Sequence, residues 1–379
     1  MKKAAIIVPT YNEVDNIKKL IPQIFEVAKQ NSHWEIHVVI VDSHSDDGTE
    51  EIILKLIDTY PKLHLLRMKK EGLGKAYLEG FKTAIEKLNP YLLFEMDADL
   101  SHNPEDISKF LRKIEEGADF VVGSRYIKGG SIPKDWGIHR KFFSIFGNII
   151  IRIGFMKLGI TDWTNGYRAI KSWVIKGAFD HIKNYSGYVF QVAFLDFALK
   201  NNAVVREIPI NFADRISGKS KINALQYSVN SILYVLFHSS FIKFVIVGLL
   251  GFGVDFSFAY LFINSFHINK PLSNMLSAEI AIIFNFMLNN FWSFRHKKIE
   301  GGVFSYLKKF LTFNLVSSGS IVIQGVGLTL SLRLIGDKTF HFAQFGLSAW
   351  ILYKILIISF IIIPYSYILY NKVIWKEKR

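Results

Sequence analysis

The sequence predicts an α/β fold with a mostly parallel, doubly wound sheet, followed by four membrane-spanning helices. The first observation is that short apolar runs alternate with helical patterns in the first half of the chain, as in βαβ units. The second is that polar residues close several of these runs, which is typical of strands that end at a ligand site. The third is that residues 241–379 hold four apolar stretches, each long enough to cross about 30 Å of hydrocarbon.

The composition favours a membrane protein. Half of the 379 residues are hydrophobic, and the net charge is +14. Residues 241–379 hold fourteen Lys/Arg against five Asp/Glu, so the excess positive charge lies in the most apolar part of the chain. This pattern indicates basic loops beside a membrane rather than a nucleic-acid-binding surface, and no nucleic-acid partner is expected. There is no cysteine, which excludes disulfides and thiolate metal sites, and no signal peptide is expected at Met1.

The elements of the N-terminal half follow from the residue pattern in chain order. Apolar runs predict four buried strands, at 4–8, 36–41, 63–66 and 91–96. A loop from Pro9 to Glu13 precedes the first helix, and polar turns at 43–49 and 71–75 open the next two. The carboxyl ends of parallel strands meet at one edge of a sheet, so the loops after strands one, two and four are expected to form the ligand site.

Asp97 and Asp99 follow the fourth predicted strand with one residue between them. Alternate side chains of an extended chain point the same way, so both carboxylates are expected to face one point. They would repel each other unless a cation lay between them, and their hard oxygen atoms suit Mg²⁺ or Mn²⁺, which usually carry a substrate diphosphate. The alternative is two loop aspartates, one of which caps the helix that begins near Pro104. The sequence contains neither a GxGxxG fingerprint after the first strand nor a Walker A motif.

Several separated motifs occur in a fixed order within about residues 1–225. They are Pro9-Thr-Tyr-Asn-Glu13, Asp42 with Asp46-Asp47-Gly48-Thr49, Asp97-Ala-Asp99, Gly123-Ser-Arg125-Tyr126, Ser186–Gln191 and Arg206–Lys221. Together they resemble the family 2 inverting glycosyltransferases with a GT-A, Rossmann-like fold. The stretch DADLSHNP is most similar to the dolichol- or polyprenol-phosphate mannosyltransferases. This resemblance implies metal-dependent transfer of mannose from GDP-mannose to dolichyl or polyprenyl phosphate, with inversion of the anomeric centre.

The same resemblance implies roles for individual residues. The nucleotide-sugar-binding residues would be Pro9, Tyr11, Glu13, Asp42, Asp97, Ala98, Asp99, Arg215 and Lys221. The metal ligands would be Asp97, Asp99 and Ser101, where members of the family often have Gln, and water could fill the place of this shorter side chain. The acceptor phosphate would be bound by Arg125, Arg140 and Ser144, since a guanidinium fork matches phosphate oxygens. The catalytic residues would be Asp99, Arg125 and Arg140.

Two features bear on the remaining acid and base chemistry. Many members carry an acidic residue two places after the Gln191 position, and this chain has Ala193 there. A phosphate monoester has its second pKa at about 6, so the acceptor is largely ionised at pH 7 without a general base. The histidines near the motifs are therefore interpreted as loop residues or helix caps; they are His44, His102 and His139.

Two apolar segments are predicted to lie on the membrane surface without crossing it. Residues 142–158 include Arg152 and Lys157, and residues 222–240 place apolar side chains at helical spacing opposite Asn and Gln. Both are interpreted as interfacial amphipathic helices, with ordinary core helices as the alternative. The predicted domains are a glycosyltransferase domain at 1–221, an interfacial linker at 222–240 and a transmembrane domain at 241–379.

The four predicted spans are 241–265, 272–294, 310–332 and 345–370. Residues 241–255 and 285–294 resemble the GtrA-like membrane domain, which is sometimes fused to polyprenyl-phosphate glycosyltransferases. Nine basic residues of the transmembrane domain fall on the side that also holds the N-terminal domain, against three on the other side. The positive-inside rule therefore predicts a multi-pass protein whose catalytic domain and both termini are cytoplasmic. Because a charge at bilayer depth is costly, Lys354 is predicted to pair with Asp255 or Glu279.

Two alternative functions stay open at this stage. The same architecture could use UDP-glucose or another UDP-sugar in place of GDP-mannose. A protein of a different class would be a lipid-linked-sugar transporter with a regulatory N-terminal domain, against which the intact Asp97-Ala-Asp99 motif and the arginine positions argue.

Overall fold

The computed structural model describes residues 1–185, 187–214, 224–336, 339–342 and 345–376. These residues form two compact units, residues 1–235 and 236–379, and the division falls within the segment predicted as a linker. Arg215 and Lys221, both predicted to bind the nucleotide sugar, lie outside the described residues.

The first unit is built around a seven-stranded sheet in the described part of the chain. Its strands are β1 (Lys2–Thr10), β2 (Trp34–Asp42), β3 (Leu63–Arg67), β4 (Leu92–Glu95), β5 (Phe120–Ser124), β6 (Arg168–Lys171) and β7 (Val205–Pro209). Its helices are α1 (Val14–Gln30), α2 (Thr49–Thr59), α3 (Leu73–Leu88), α4 (Ile107–Glu115), α5 (Ile138–Phe155), α6 (Ser172–Ile182) and α7 (Gly187–Lys200). Helix α8 (Ala224–His238) begins in the first unit and ends in the second.

The strand order is β3-β2-β1-β4-β6-β5-β7. Strands β1 to β4 pair in parallel, as do β5 and β7, whereas β6 runs antiparallel to both of its neighbours. The prediction of a mostly parallel α/β sheet is therefore confirmed. The side chains of residues 4–8 in β1 are fully buried, as expected for a continuous apolar run in a parallel strand covered on both faces.

Register places the polar loops where the sequence predicts them. Thr10, the last residue of β1, pairs with Asp42 at the end of β2, and Ile7 pairs with Glu95 at the end of β4. The predicted loop beginning at Pro9 is wrong by two residues, because Pro9 lies inside β1 opposite Val41. Proline lacks a backbone N–H and cannot donate to the neighbouring strand, but near the end of a strand few hydrogen bonds of the sheet are lost.

Helix α5 covers most of the segment predicted as interfacial, and many of its apolar side chains are exposed. Exposed apolar residues line one face; they are Ile138, Phe142, Phe143, Ile145, Phe146, Ile149 and Ile153. Polar Asn148 is instead 2% exposed, and its side chain bonds Ser144 O, Thr164 Oγ1 and the backbone N–H of Trp163. A contiguous exposed apolar face of this kind marks an interaction surface.

The second unit is mainly helical. It contains α9 (Ser240–Asn264), α10 (Lys270–Leu288), α11 (Val303–Ile335), β8 (Thr339–Phe342), β9 (Phe345–Ser348), α12 (Ala349–Ile357) and α13 (Ile363–Leu369). A π-helical turn at Asn289–Ser293 extends α10, and two more, at Ile358–Ile362 and Tyr370–Ile374, follow α12 and α13. Among the described residues, three helical segments are long and apolar enough to cross a membrane: Ser240–Asn264, Val303–Ile335 and Leu352–Ile374.

The second predicted span corresponds to α10 with the π-helical turn that extends it, together residues 270–293, whereas the fourth predicted span differs from the structure. Among the described residues, α10 is not one of the three long apolar segments. The predicted fourth span begins too early, since residues 345–348 form β9 and the helix begins at Ala349.

The predicted pairing of Lys354 with an acid is also wrong. Asp255 Oδ1 accepts a hydrogen bond from Ser277 Oγ at 2.5 Å, and no described ion pair joins Lys354 to Asp255 or Glu279. Helices α9 and α10 pack closely at a different point, where a Cβ on Gly251 would lie 2.1 Å from Asn285 Oδ1.

Candidate functional site

Asp42 joins the ends of the first two strands. Its carboxylate is fully buried and accepts hydrogen bonds from Thr10 Oγ1 at 2.9 Å and from the Ser45 backbone N–H and Oγ at 2.9 and 2.6 Å. These contacts fix the loop after β2 against the end of β1. The structure thus gives Asp42 a role in shaping the edge, while its predicted contact with the nucleoside stays a prediction.

The loops after β1 and β2 are locked together by side chains. Asn12 Nδ2 donates to Asp46 Oδ1 at 2.7 Å, and Asn12 Oδ1 accepts from the Asp46 backbone N–H at 3.1 Å. Asn12 and His44 have φ values of +59° and +55°, in the left-handed region that non-glycine residues rarely adopt. Backbone strain of this kind is typically held in place at functional sites.

Tyr11, predicted to contact the nucleotide sugar, lies in this pair of loops. The Lys70 ammonium, from the loop after β3, lies 3.3 Å from the centroid of the Tyr11 ring. Glu13 precedes α1 and accepts a hydrogen bond from Asn16 Nδ2 at 2.6 Å. Tyr11, Glu13 and Asp42 therefore lie together at the carboxyl edge of β1 and β2, where Lys70 is a neighbour that sequence reasoning missed.

The DxD loop, which we define as residues 97–102, follows β4 at the same edge. The side chain of Asp97 is about one-third exposed (32%), whereas Asp99 is buried. Tyr77 Oη donates to Asp97 Oδ1 at 3.1 Å, and the Ser101 backbone N–H donates to Asp99 Oδ1 at 3.1 Å. Burial, followed by the negative charge of Asp97, raises the pKa of Tyr77 well above its usual range, so this hydroxyl remains a donor. Leu100 has a φ of +61°, which turns the loop sharply between the two parts of the motif.

His102 is the residue of this loop that sequence reasoning set aside. It is 1% exposed, and its Nδ1 accepts a hydrogen bond from the Asp97 backbone N–H at 3.0 Å. Its ring stacks on Tyr167 at a centroid distance of 4.7 Å. His102 is a loop residue, as predicted, but it is buried. It is not a helix cap, since Asn103 provides the cap of the following 3-10 turn by accepting from the Glu105 backbone N–H.

The chemistry of the DxD loop fits a divalent cation. Within the described ranges no three His, Cys, Asp or Glu side chains cluster in a way that could hold a metal by themselves. Mg²⁺ is however commonly held by one or two carboxylates together with substrate phosphates and water. Asp97 and Asp99 supply two carboxylates, and the buried Ser101 Oγ has no hydrogen-bond partner in the described part of the chain. An unpaired buried hydroxyl beside two carboxylates is consistent with a ligand that completes the site.

Gly166 and Gln191 border the same space. A Cβ on Gly166 would lie 3.6 Å from Gln191 Nε2, 3.9 Å from Asp97 Oδ1 and 4.0 Å from His102 Cε1. The absence of a side chain at Gly166 thus leaves room beside Asp97. Gln191 is buried on α7, which brings the predicted C-terminal motif to the DxD loop.

Below this loop lies a buried ion pair. Arg168 on β6 is fully buried, donates to the carbonyls of Trp163, Asn165 and Gln191, and places its Nε 4.0 Å from Glu95 Oε2. Burial raises the pKa of Glu95 to about 7 although Arg168 opposes the shift, and burial lowers the pKa of Arg168 to about 10. Arg168 therefore stays charged at neutral pH and ties the 163–165 loop and α7 to the end of β4.

Arg125 is held by an acid that sequence reasoning missed. Its Nε and Nη2 donate to the two carboxylate oxygens of Asp162 at 2.7 and 2.8 Å, and its backbone N–H adds a third bond at 3.1 Å. The Arg125 side chain is 7% exposed and that of Asp162 is fully buried. Glu207 on β7 in turn accepts from the backbone N–H groups of Thr161 and Asp162. The predicted phosphate contact of Arg125 stays a prediction, and its guanidinium is already paired.

Arg140 and Ser144 lie on the first two turns of α5. The Arg140 guanidinium lies 3.9 Å from the centroid of the Trp136 ring and 3.4 Å from Asp214 Oδ1, and its side chain is 41% exposed. Ser144 Oγ lies 2.5 Å from Tyr126 Oη. The Phe212 ring contacts those of Trp136 and His102, so aromatic packing connects the Arg140 region with the DxD loop.

Two family models match the chain. Residues 5–176 match "Glycosyl transferase family 2", and residues 243–375 match "GtrA/DPMS, transmembrane domain". The first match covers β1 to β6 with the DxD loop, and the second covers nearly all of the second unit.

Two relatives agree with these matches. A dolichol-phosphate mannosyltransferase from Pyrococcus furiosus is 33% identical over 328 residues, which cover 84% of this chain and 88% of that protein. A polyprenol monophosphomannose synthase from Mycolicibacterium smegmatis is 35% identical over 224 residues, which cover 59% of this chain and 82% of that protein. Among solved structures, glucosyl-3-phosphoglycerate synthase from Mycobacterium tuberculosis superposes with a TM-score of 0.45 and 13% identity over 62% of this chain and 78% of that one.

Proposed function

The chain belongs to the dolichol- and polyprenol-phosphate mannosyltransferases of glycosyl transferase family 2, and we propose that it transfers mannose from GDP-mannose to a dolichyl or polyprenyl phosphate. It is a glycosyltransferase with a GtrA-like transmembrane domain. The observation that carries the proposal is the DxD loop, where Asp97 and Asp99 lie at the carboxyl edge of the sheet beside the loops that hold Tyr11 and Asp42.

The leaving group of this reaction is a nucleoside diphosphate, and Mg²⁺ or Mn²⁺, when bound, supplies neutralisation of its charge. Asp97 and Asp99 would hold that ion, with the Ser101 hydroxyl or a water beside them. Tyr77 and His102 keep Asp97 in place through hydrogen bonds to its carboxylate and backbone. Gly166 leaves space next to Asp97 for the ligand.

The nucleophile is an oxygen of the acceptor phosphate, which is already ionised at neutral pH. Of the two predicted acceptor arginines, Arg140 is the better placed to bind this phosphate, because its guanidinium is partly exposed and its acidic neighbour Asp214 is exposed as well. Ser144 lies one turn further along the same face of α5. Direct displacement by the phosphate oxygen would invert the anomeric centre and give a β-linked mannosyl phosphate from an α-linked donor.

The exposed apolar face of α5 supports a lipid acceptor. A helix with this pattern lies in the headgroup region of a bilayer, with its apolar side chains among the acyl chains. Arg140 and Ser144 on the same helix would then meet a phosphate at headgroup level while the polyprenyl tail stays in lipid. We place the protein in a membrane as a multi-pass protein, with the catalytic domain and both termini on the cytoplasmic side, on the distribution of basic residues.

Replacement of either carboxylate tests the metal and the reaction together. Asp97→Asn or Asp99→Asn is expected to abolish transfer while the thermal unfolding midpoint stays close to that of the wild type, because one charged ligand of the diphosphate clamp is lost. Transfer from labelled GDP-mannose to polyprenyl phosphate is measured after chelator treatment and restoration of Mg²⁺ or Mn²⁺. Near-normal turnover in either variant would contradict the assignment.

Parallel assays decide between the proposed function and its alternatives. Transfer from UDP-glucose but not from GDP-mannose would show that the donor is a UDP-sugar. The rest of the proposed mechanism would be unchanged. Movement of preformed glycolipid across reconstituted vesicles in the absence of a nucleotide sugar, without any transferase activity, would instead favour the transporter.

A further inference from the structure

His102 is a buried, hydrogen-bonded imidazole inside the DxD loop. We propose that His102 is a positioning residue, which fixes the backbone of Asp97 so that its carboxylate can hold a metal-bound diphosphate. The inference deepens the proposed function and rests on it, because it concerns the same site.

The hydrogen bond from the Asp97 backbone determines where the ring carries its proton. Nδ1 accepts this bond at 3.0 Å, so Nδ1 is a bare acceptor. A neutral imidazole has a single N–H, which must then be on Nε2. Nε2 lies 4.0 Å from Asp97 Oδ2 and has no hydrogen-bond partner among the described residues. The ring therefore holds the Asp97 backbone with one nitrogen and presents an N–H near its carboxylate with the other.

Aromatic neighbours prevent the ring from turning away. Tyr167 stacks on it with an interplanar angle of 14°, and Phe212 meets it edge-on at 5.8 Å. Tyr167 is itself fixed, since its hydroxyl donates to Asn103 O at 3.0 Å, immediately after His102 in the chain. A ring flip would place a carbon where Nδ1 now accepts the bond, so the flipped ring would lose it.

A histidine in this position does more than fill space. A packing role would be met by any side chain of similar volume and would not depend on which ring nitrogen is retained. The positioning role depends on Nδ1, because Asp97 N–H has its acceptor there. Asparagine places an amide oxygen near the position of Nδ1, whereas glutamine places its amide near Nε2 and leaves the Asp97 N–H without an acceptor. The variants His102→Asn and His102→Gln therefore separate the two roles with side chains of similar polarity.

The test uses the full chain in detergent or nanodiscs and begins without turnover. Free Mn²⁺ is measured by electron paramagnetic resonance during titration in the presence of GDP, and again with UDP. His102→Asn is expected to bind Mn²⁺ within about threefold of the wild type, whereas His102→Gln should bind roughly tenfold or more weakly because a backbone donor loses its partner. In transfer assays kcat/KM for GDP-mannose should follow the same order, and the KM for polyprenyl phosphate should stay unchanged in both variants.

The outcomes are distinct. Equal Mn²⁺ affinity in the two variants, whether both are normal or both impaired, would overturn the inference, as would an equal fall of both thermal midpoints with equal loss of activity. If the wild type transfers no mannose but His102→Asn still binds Mn²⁺ more tightly than His102→Gln with either nucleotide, the inference stands and the proposed mannosyl transfer fails.

Discussion

At the scale of single residues, Arg125 and Arg140 differ in burial and in the residues that their guanidinium groups contact. Arg125 is buried and bound by both oxygens of Asp162, whereas Arg140 is partly exposed and stacks on Trp136. Breaking a buried ion pair leaves the remaining charge without compensation, which is far more costly than removing an exposed arginine. The two positions should therefore give different phenotypes even though the family resemblance assigns them one role.

Arg140→Ala is expected to raise the KM for polyprenyl phosphate about ten- to hundredfold, corresponding to about 1.5–3 kcal/mol for a lost charge-assisted contact. Its thermal midpoint and the donor KM should change little. Arg125→Ala should destabilise the protein by about 3–5 kcal/mol, because the buried carboxylate of Asp162 is left without a counter-charge. The measurements are steady-state kinetics and thermal unfolding of both variants. A change in the donor KM alone would indicate that Arg140 contacts the diphosphate of the donor instead of the acceptor phosphate.

His64 gives the protein a pH-dependent contribution to stability. On β3 its Nε2 lies 3.0 Å from His37 Nδ1, and His37 Nε2 lies 3.0 Å from Glu35 Oε1. Burial lowers the pKa of His64 below its ordinary value, and the nearby charges of His37 and Lys87 lower it further. Above pH of about 6.5 the side chain is neutral in both the folded and the unfolded state. As the pH falls below that value, the unfolded chain takes up a proton that the folded state resists, so stability decreases.

We therefore expect the thermal midpoint of the wild type to fall between pH 7.5 and 5.5 by more than that of His64→Gln. Glutamine can still donate to His37 but does not titrate, so this variant is the matched control. Thermal unfolding at both pH values in the same detergent provides the measurement. An identical pH dependence of the two proteins would assign the effect to other groups.

Single residues also show what sequence alone can reveal about the site. Asp97 and Asp99 were predictable because their spacing and the preceding apolar run are both local. Asp162 was not, because its significance lies in a partner 37 positions earlier in the chain. The burial of His102 was not predictable for a related reason: its partner Asp97 is close in sequence, but Tyr167 and Phe212, which pack on its ring, are distant in sequence.

At the scale of elements, α5 combines an apolar exposed face with polar contacts to the rest of its unit. Phe142 and Phe146 are 56% and 47% exposed and stack on each other at 5.1 Å. The buried face is held by Ser144 and Asn148, so polar changes on the exposed face should not disturb the fold. The exposed face is therefore open to substitution as a test of lipid contact.

The double variant Phe142→Asp with Phe146→Asp is expected to raise the KM for long-chain polyprenyl phosphate in vesicles by roughly tenfold, because two large apolar groups no longer enter the bilayer. The KM for a short, water-soluble polyprenyl phosphate should change little. Leu54→Asp on α2 is the control, since Leu54 is also exposed. An equal rise for both acceptors would indicate damage to the phosphate site instead of lost lipid contact.

The elements themselves were predictable where hydrophobic pattern and length agree. Strands β1 to β4 fall at the predicted positions because each is an apolar run followed by polar loop residues. Strands β5 to β7 were not predicted as strands, and β6 carries the buried charge of Arg168. Strand β6 is stabilised by pairing within the sheet and by the contact of Arg168 with Glu95. Both involve residues distant in sequence, so a short sequence window does not reveal them.

At the scale of the whole molecule, the number of membrane crossings depends on α10. The three long apolar segments leave out α10, which carries Glu279 and a row of Ser and Asn side chains. Two of these polar residues nevertheless face α9, where Ser277 bonds Asp255 and Asn285 packs on Gly251. A polar face covered by a neighbouring helix is compatible with a membrane-spanning helix, because only its lipid-facing side must be apolar. We therefore expect α10 to cross, giving four crossings.

The absence of cysteine makes this expectation directly testable with single-cysteine variants. With four crossings, a membrane-impermeant maleimide should label Lys18→Cys and Lys298→Cys from the same side of sealed vesicles, and Arg333→Cys from the opposite side. With three crossings that omit α10, Lys298→Cys would change to the side opposite Lys18→Cys, and Arg333→Cys would join Lys18→Cys. The two topologies thus give inverse labelling patterns, and the cysteine-free wild type provides the background. The basic residues 295–298 favour the first pattern, since they would otherwise lie outside the cytoplasm against the positive-inside rule.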